Sequence, residues 1–200
     1  MECTRGSQVE GTRLYIKIPG ERIGALVGPE GHVKVAIEKK LSVGLKVDSQ
    51  SGDVQITLSP TANDPTVLFR AREVVTAIGR GFSPDHAFRL LNDDETVLEV
   101  IDLRETVGRS PSDLKRLKGR VIGKEGKTRR IIEELSEANI SVYGHTIAII
   151  GQADQAAIAR EAVQMLIRGS LHGTVYRFLH KKRRELKKNR LELWEPSYKS

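Results

Sequence analysis

Apolar and polar residues alternate over Leu14-Tyr15-Ile16-Lys17-Ile18, the period-two pattern of a half-buried strand. Pro19-Gly20 ends it. A short helix is expected over 21–27, a turn over Gly28–Gly31, and a second helix with Val33, Ile37 and Leu41 on one face. Leu45 and Val47 lie on a strand. Residues 49–53 turn the chain, and Val54, Ile56 and Leu58 alternate on the next strand. Asp64-Pro65 reads as a helix start, with Asp64 as N-cap and proline in the first turn. That helix runs to about Gly79. The order is strand, helix, helix, strand, strand, helix.

The same order then recurs. Val27-Gly28-Pro29-Glu30-Gly31 returns 95 positions later as Ile122-Gly123-Lys124-Glu125-Gly126, and Ile37, Leu45 and Val47 return as Ile132, Ile140 and Val142. Two glycine pairs alone are a weak signal; the shared apolar spacing makes it a repeat. The second copy predicts a strand over 96–103, a helix over 112–122 capped near Ser112 or Asp113, and a helix over 127–136. Strands at 140–143 and 146–150 pair across Gly144-His145. A closing helix spans 153–168, with Ala157, Ile158, Val163, Leu166 and Ile167 as core positions. Between the copies, Ser83 caps and Pro84 starts a short helix. Phe82, Phe88 and Leu91 are too apolar for a free linker, so 81–91 is expected to pack between the modules.

Charge changes this picture. The net charge is +7, but residues 171–200 hold nine Lys/Arg against three Glu, and the rest of the chain is almost neutral. A helix from 175 to 190 would carry Phe178, Leu179 and Leu186 on one side and Lys181, Lys182, Arg183, Arg184, Lys187 and Lys188 around the rest. Such a tail fits a clamp on a polyanion; its bland alternative is a solubilising extension.

A Gly-x-x-Gly turn between two helices lets backbone approach a ligand, because glycine has no Cβ and tolerates positive φ. The helix that follows favours phosphate at its N-terminus. The candidate RNA contacts are Gly28, Pro29, Glu30, Gly31 and Lys34 in the first copy. In the second they are Arg120, Gly123, Lys124, Glu125, Gly126, Lys127, Arg129 and Arg130. Unstacked bases would lie on aliphatics that serve the core first and a groove second. These are Ile23, Val27, Ile37, Leu45 and Val47, then Val121, Ile122, Ile132, Ile140 and Val142. The copies differ: window 115–130 carries +7, whereas the aligned window 20–35 is neutral and Pro29 lacks a backbone donor. The second copy is therefore expected to dominate binding, the first to orient RNA or dock a protein.

Val121-Ile122-Gly123-Lys124-Glu125-Gly126-Lys127-Thr128 resembles the type I KH signature; Arg129-Arg130 departs from it where an apolar residue is usual. The resemblance implies an α+β fold of two tandem type I KH domains (βααββα), each a three-stranded antiparallel sheet packed on three helices, plus a basic C-terminal helix. The organisation expected is a flexible N-terminus (1–10), a first KH domain (11–80), a helical linker (81–94), a second KH domain (95–170) and a basic extension (171–200). Residues 81–91, 141–151 and 172–179 narrow the likeness to archaeal relatives of the "partner of Nob" pre-ribosomal RNA factor. That family implies single-stranded RNA near the small-subunit rRNA 3′ end. It also implies contact with a Nob-type endonuclease or the alpha subunit of translation initiation factor two.

The remaining chemistry is sparse. Cys3 is the single cysteine, which excludes a disulfide framework and a Cys-rich zinc site. His32, His86, His145, His172 and His180 have no metal-binding spacing, and Asp93-Asp94-Glu95 reads as a solvated loop. No nucleophile motif or Walker loop is present. The expectation is a cytoplasmic non-enzyme with no membrane span, cofactor or catalytic residue. Its rivals are a protein-interaction adaptor and an exosome-type cofactor, although the chain leaves no room for the S1-like barrel such cofactors carry.

Overall fold

The computed structural model describes residues 13–60, 62 and 64–194, with side chains as far as residue 188. The expected flexible N-terminus lies outside the described residues. The chain divides into two compact units between Leu91 and Asn92.

In the first unit, β1 (Arg13–Lys17) leads through a 3-10 turn (Gly20–Arg22) into α1 (Ile23–Val27). A second 3-10 turn (Pro29–Gly31) opens α2 (His32–Leu41). Then come β2 (Val43–Val47), β3 (Asp53–Leu58) and α3 (Val67–Gly79). The sheet is antiparallel in the order β1-β3-β2, with Leu14 opposite Ile56 and Leu45 opposite Ile56 on its other side. Alternation decides the buried face: Val54 and Ile56 are buried, whereas Arg13, Tyr15 and Lys17 point to solvent. Leu26, Ile37, Leu68, Ala71, Val74, Val75 and Ile78 complete the core, each large aliphatic contributing roughly 1.5–3 kcal/mol by leaving water.

Asp64 is not the cap of α3. Thr66 holds that position, and Asp64 accepts the Thr66 N–H at 2.8 Å and its hydroxyl, forming a turn one step earlier. Two short helices, α4 (Pro84–Ala87) and α5 (Arg89–Asn92), follow. Ser83 holds the N-cap position of α4 and Pro84 starts it, as expected, but the Ser83 hydroxyl lies 2.8 Å from His86 Nδ1 and makes no hydrogen bond to a helix N–H. Phe82, Ala87 and Leu90 are buried.

The second unit runs β4 (Thr96–Asp102), α6 (Arg104–Val107), α7 (Pro111–Ile122), a 3-10 turn (Lys124–Gly126), α8 (Lys127–Ser136), β5 (Asn139–Tyr143), β6 (Thr146–Gln152), α9 (Ala153–Ile167) and α10 (His172–Trp194). Its sheet is again antiparallel, in the order β4-β6-β5. The sequence reading misses α6. Its first N–H, from Arg104, is accepted by Asp102 at 2.9 Å. The cap of α7 is Ser110, whose hydroxyl accepts the Asp113 N–H, rather than Ser112 or Asp113.

Ala157 is exposed, and Ala156, Ala159 and Ala162 fill the core face of α9 in its place. α10 is more than an appendage. Val175 and Leu179 are fully buried in the core of this unit, and Phe178 and Leu186 pack against it. The first half of the basic extension is thus structural.

Candidate nucleic-acid interface

Both Gly-x-x-Gly turns have one backbone conformation. Gly28 sits at φ 73°, ψ 175° and Gly123 at φ 72°, ψ −179°, a region open essentially to glycine. Glu30 (φ 50°, ψ 22°) and Glu125 (φ 53°, ψ 29°) are left-handed, as are Gly31 and Gly126. The two glycines of each turn serve different ends. A Cβ on Gly28 would overlap Val33, and one on Gly123 would overlap Thr128. A Cβ on Gly31 meets nothing, and one on Gly126 only touches Arg130 Nε at 4.0 Å. The first glycine is needed for packing and backbone, the second for backbone alone.

Thr128 is buried, and its hydroxyl lies 3.1 Å from the Tyr176 hydroxyl on α10. The second loop is therefore tied to a helix that the first copy lacks, a link the sequence reading missed. Arg130 donates to the Glu125 carbonyl at 2.6 Å and fixes the loop from the other side. Lys124, Glu125, Lys127, Arg130, Ile131 and Glu134 line an open depression beside it.

The basic window is less free than its charge implies. Arg120 is engaged within its own unit. Its Nε donates to the Leu166 carbonyl at 3.1 Å and its terminal nitrogen to the Ser170 carbonyl at 2.7 Å, so it caps α9. His172 Nε2 in turn lies 3.0 Å from the Arg120 carbonyl. Lys118 donates to the Gly144 carbonyl at 2.9 Å, joining α7 to the β5–β6 turn. Arg116 pairs with Asp113 and Arg129 with Glu133. Lys124 and Lys127 are exposed and make no such contact. In the neutral first window, Pro29 and Glu30 are exposed and Lys34 lies 3.9 Å from Glu38.

The aliphatic set divides. Ile23, Ile37, Leu45, Val121, Ile132 and Ile140 are buried and belong to the core, not to an open groove. Val27, Val47, Ile122 and Val142 are half-buried. The turn between the last two strands of each sheet is short: Gly144-His145 in the second copy, and Asp48–Gly52, closed by hydrogen bonds from Gln50 and Ser51 to Asp48, in the first. In both copies a glutamate ties the second helix to the edge strand. Glu38 accepts the Leu45 N–H at 2.7 Å, and Glu133 accepts the Ile140 N–H at 2.8 Å. Both pairs obey the 95-residue offset, which is the signal that would have found them.

On α10, His180, Arg183, Arg184 and Lys187 line a second open depression. Lys181 and Lys182 pair with Glu185, at 3.9 and 2.9 Å, and Lys182 is held above its ordinary pKa by that hydrogen bond. Of the residues expected to form a clamp over 181–188, Arg184, Lys187 and Lys188 are exposed, Arg183 is half-buried, and Lys181 and Lys182 are engaged with Glu185. Asp93 accepts the Glu95 N–H and the Thr96 hydroxyl, so the acidic run shapes the entry to β4. Among the described residues no three His, Cys, Asp or Glu side chains gather as metal ligands. No described helix is long and apolar enough to cross a membrane.

Comparison with known proteins agrees with this geometry. A family model for the eukaryotic-type KH domain (KH-domain type I) matches residues 97–184, and one for the Krr1 KH1 domain matches 19–93. The chain is 50% identical over 180 residues to a KH domain-containing protein of Methanocaldococcus jannaschii, covering 90% of this chain and 78% of that one. It is 28% identical over 161 residues to the pre-rRNA-processing protein PNO1 of Coccidioides immitis, covering 80% of this chain and 63% of that protein's length. A chain in the crystal structure of the a/eIF2alpha–aDim2p–rRNA complex from Pyrococcus horikoshii superposes with a TM-score of 0.82 at 44% identity. That match covers 89% of this chain and 97% of the other.

Proposed function

This chain belongs to the family of two-KH-domain proteins related to the PNO1 pre-rRNA-processing proteins, and on that premise we propose that it binds single-stranded RNA and serves small-subunit ribosome assembly without catalysing a reaction. One observation carries the reading. The Gly123–Gly126 turn presents exposed Lys124 and Lys127 at the start of α8, next to half-buried Ile122. Backbone turn, cation and aliphatic wall together fit unstacked nucleotides.

The target we assign is the 3′ region of the small-subunit rRNA. A relative solved in complex with rRNA and a/eIF2alpha supports it. The alpha subunit of the initiation factor and a Nob-type endonuclease are the protein partners we assign on the same family ground. The second loop supplies the larger share of phosphate affinity, because the first has no exposed cation at the turn and its Pro29 offers no donor. The stripe Arg183-Arg184-Lys187 extends the electrostatic footprint along α10.

In-cell crosslinking followed by mapping tests this. Crosslinks concentrated near the 3′ end of the small-subunit rRNA support the assignment. Crosslinks dispersed over messenger or transfer RNA overturn it.

A further inference from the structure

The position where type I KH helices usually carry an aliphatic residue holds a cation in both copies, Lys34 and Arg129, each four residues before the glutamate that binds the edge strand. Arg129 Nε lies 3.7 Å from Glu133 Oε2, and Glu133 Oε1 accepts the Ile140 N–H. β5 is an edge strand. Since the Ile140 N–H points away from β6, alternation turns the N–H and C=O of Val142 outward as well. Arg129 therefore flanks an open strand edge that offers its own donor and acceptor. Its Nε is buried with no hydrogen-bond partner, while the side chain as a whole is 42% exposed. A ligand can therefore meet the exposed part of the guanidinium, while Nε stays on the Glu133 side.

We propose that Arg129, positioned by Glu133, reads a base edge in the second groove rather than a phosphate. This rests on the RNA-binding reading above. A guanidinium presents two donors side by side, so it selects a base with two adjacent acceptors. Cytosine offers O2 and N3; guanine offers O6 and N7. Adenine interleaves its N6 donor with its acceptors, and uracil places N3–H between O2 and O4. Lys34 presents a point charge without a fork. The second groove therefore discriminates at this position and the first does not.

The test is selection of a random ten-nucleotide single-stranded RNA library on the full chain, on R129K and on R129Q. Wild type should enrich cytosine or guanine at one position by at least about five-fold. R129K keeps the charge and the salt dependence of binding, and should lose that preference while other positions keep theirs. 7-Deazaguanine at the enriched position should abolish the preference if guanine is read through N7, and uracil should abolish it if cytosine is read.

The assignment is overturned by an unchanged preference in R129K, or by an R129Q variant that weakens all sequences alike and lowers the salt slope by about 0.7. A wild-type chain that retains RNA with no preference at any position also sinks the base-reading role alone. One that retains no RNA at all removes the RNA-binding reading itself.

Discussion

Arg22 and Arg120 grip equivalent carbonyls of their closing helices from different positions in the repeat. Arg22 Nε donates to Ile78 and its terminal nitrogen to Phe82; Arg120 uses the same two atoms on Leu166 and Ser170. Each acceptor pair is four residues apart and spans a helix end, where Ile78 and Leu166 also accept the Gly81 and Gly169 N–H groups at 3.1 Å. The arginines stand six and three residues before the first glycine of their loops. The tie is kept although its residue has moved.

R120A should therefore destabilise the second unit by about 1–3 kcal/mol, because two partly buried carbonyls lose a charged donor. R120K should recover only part, since an ammonium lacks the planar fork that bridges both carbonyls. Urea titration followed by circular dichroism measures this. RNA affinity of the folded R120A protein should stay near wild type, which separates Arg120 from the ligand-facing cations.

The unequal glycines predict unequal substitutions. G123A places a Cβ against Thr128 at a glycine-only backbone conformation and should cost several times more stability than G126N. Asparagine is tolerated in the left-handed region that Gly126 occupies. Thermal melts of the two variants compare them directly.

The stripe on α10 should appear in the salt dependence. Replacing Arg184 and Lys187 with alanine should lower the slope of log K against log salt by about 1.4, at roughly 0.7 per phosphate contact on single strands. Both residues are exposed, so the helix should remain folded. An unchanged slope assigns α10 to packing alone.

Asp102 sets an acid limb. Hydrogen bonds from Arg104, with His145 nearby, hold its carboxyl down to about 2 from 3.8. The folded value is the lower one, so its stabilisation is complete above about pH 4 and is lost as pH falls toward 2. D102N should flatten that limb of a stability–pH curve, by an amount up to about 1 kcal/mol for a pair this close to solvent.

Much of this was legible in the chain. α8 (Lys127–Ser136) has the expected bounds because Thr128, Ile132 and Leu135 sit at helical spacing on its buried face. The 95-residue offset survives down to the dihedrals of Glu30 and Glu125. What escaped was short or long-range. The four residues of α6 are too few for a period. Alanine on both faces of α9 hid which were inside. Arg120 counted as free charge because a sequence does not show where a long side chain ends. The Thr128–Tyr176 contact joins residues 48 apart that no local pattern connects.

The central claim is that the Gly123–Gly126 turn holds single-stranded RNA, and paired substitutions within the two loops test it most directly. Affinity for a single-stranded RNA carrying the small-subunit rRNA 3′ sequence would be measured for K124D/E125D and for P29D/E30D. A sharp loss in the first variant and a smaller one in the second is the predicted result. Undiminished affinity in K124D/E125D, or equal losses in both, would contradict the account.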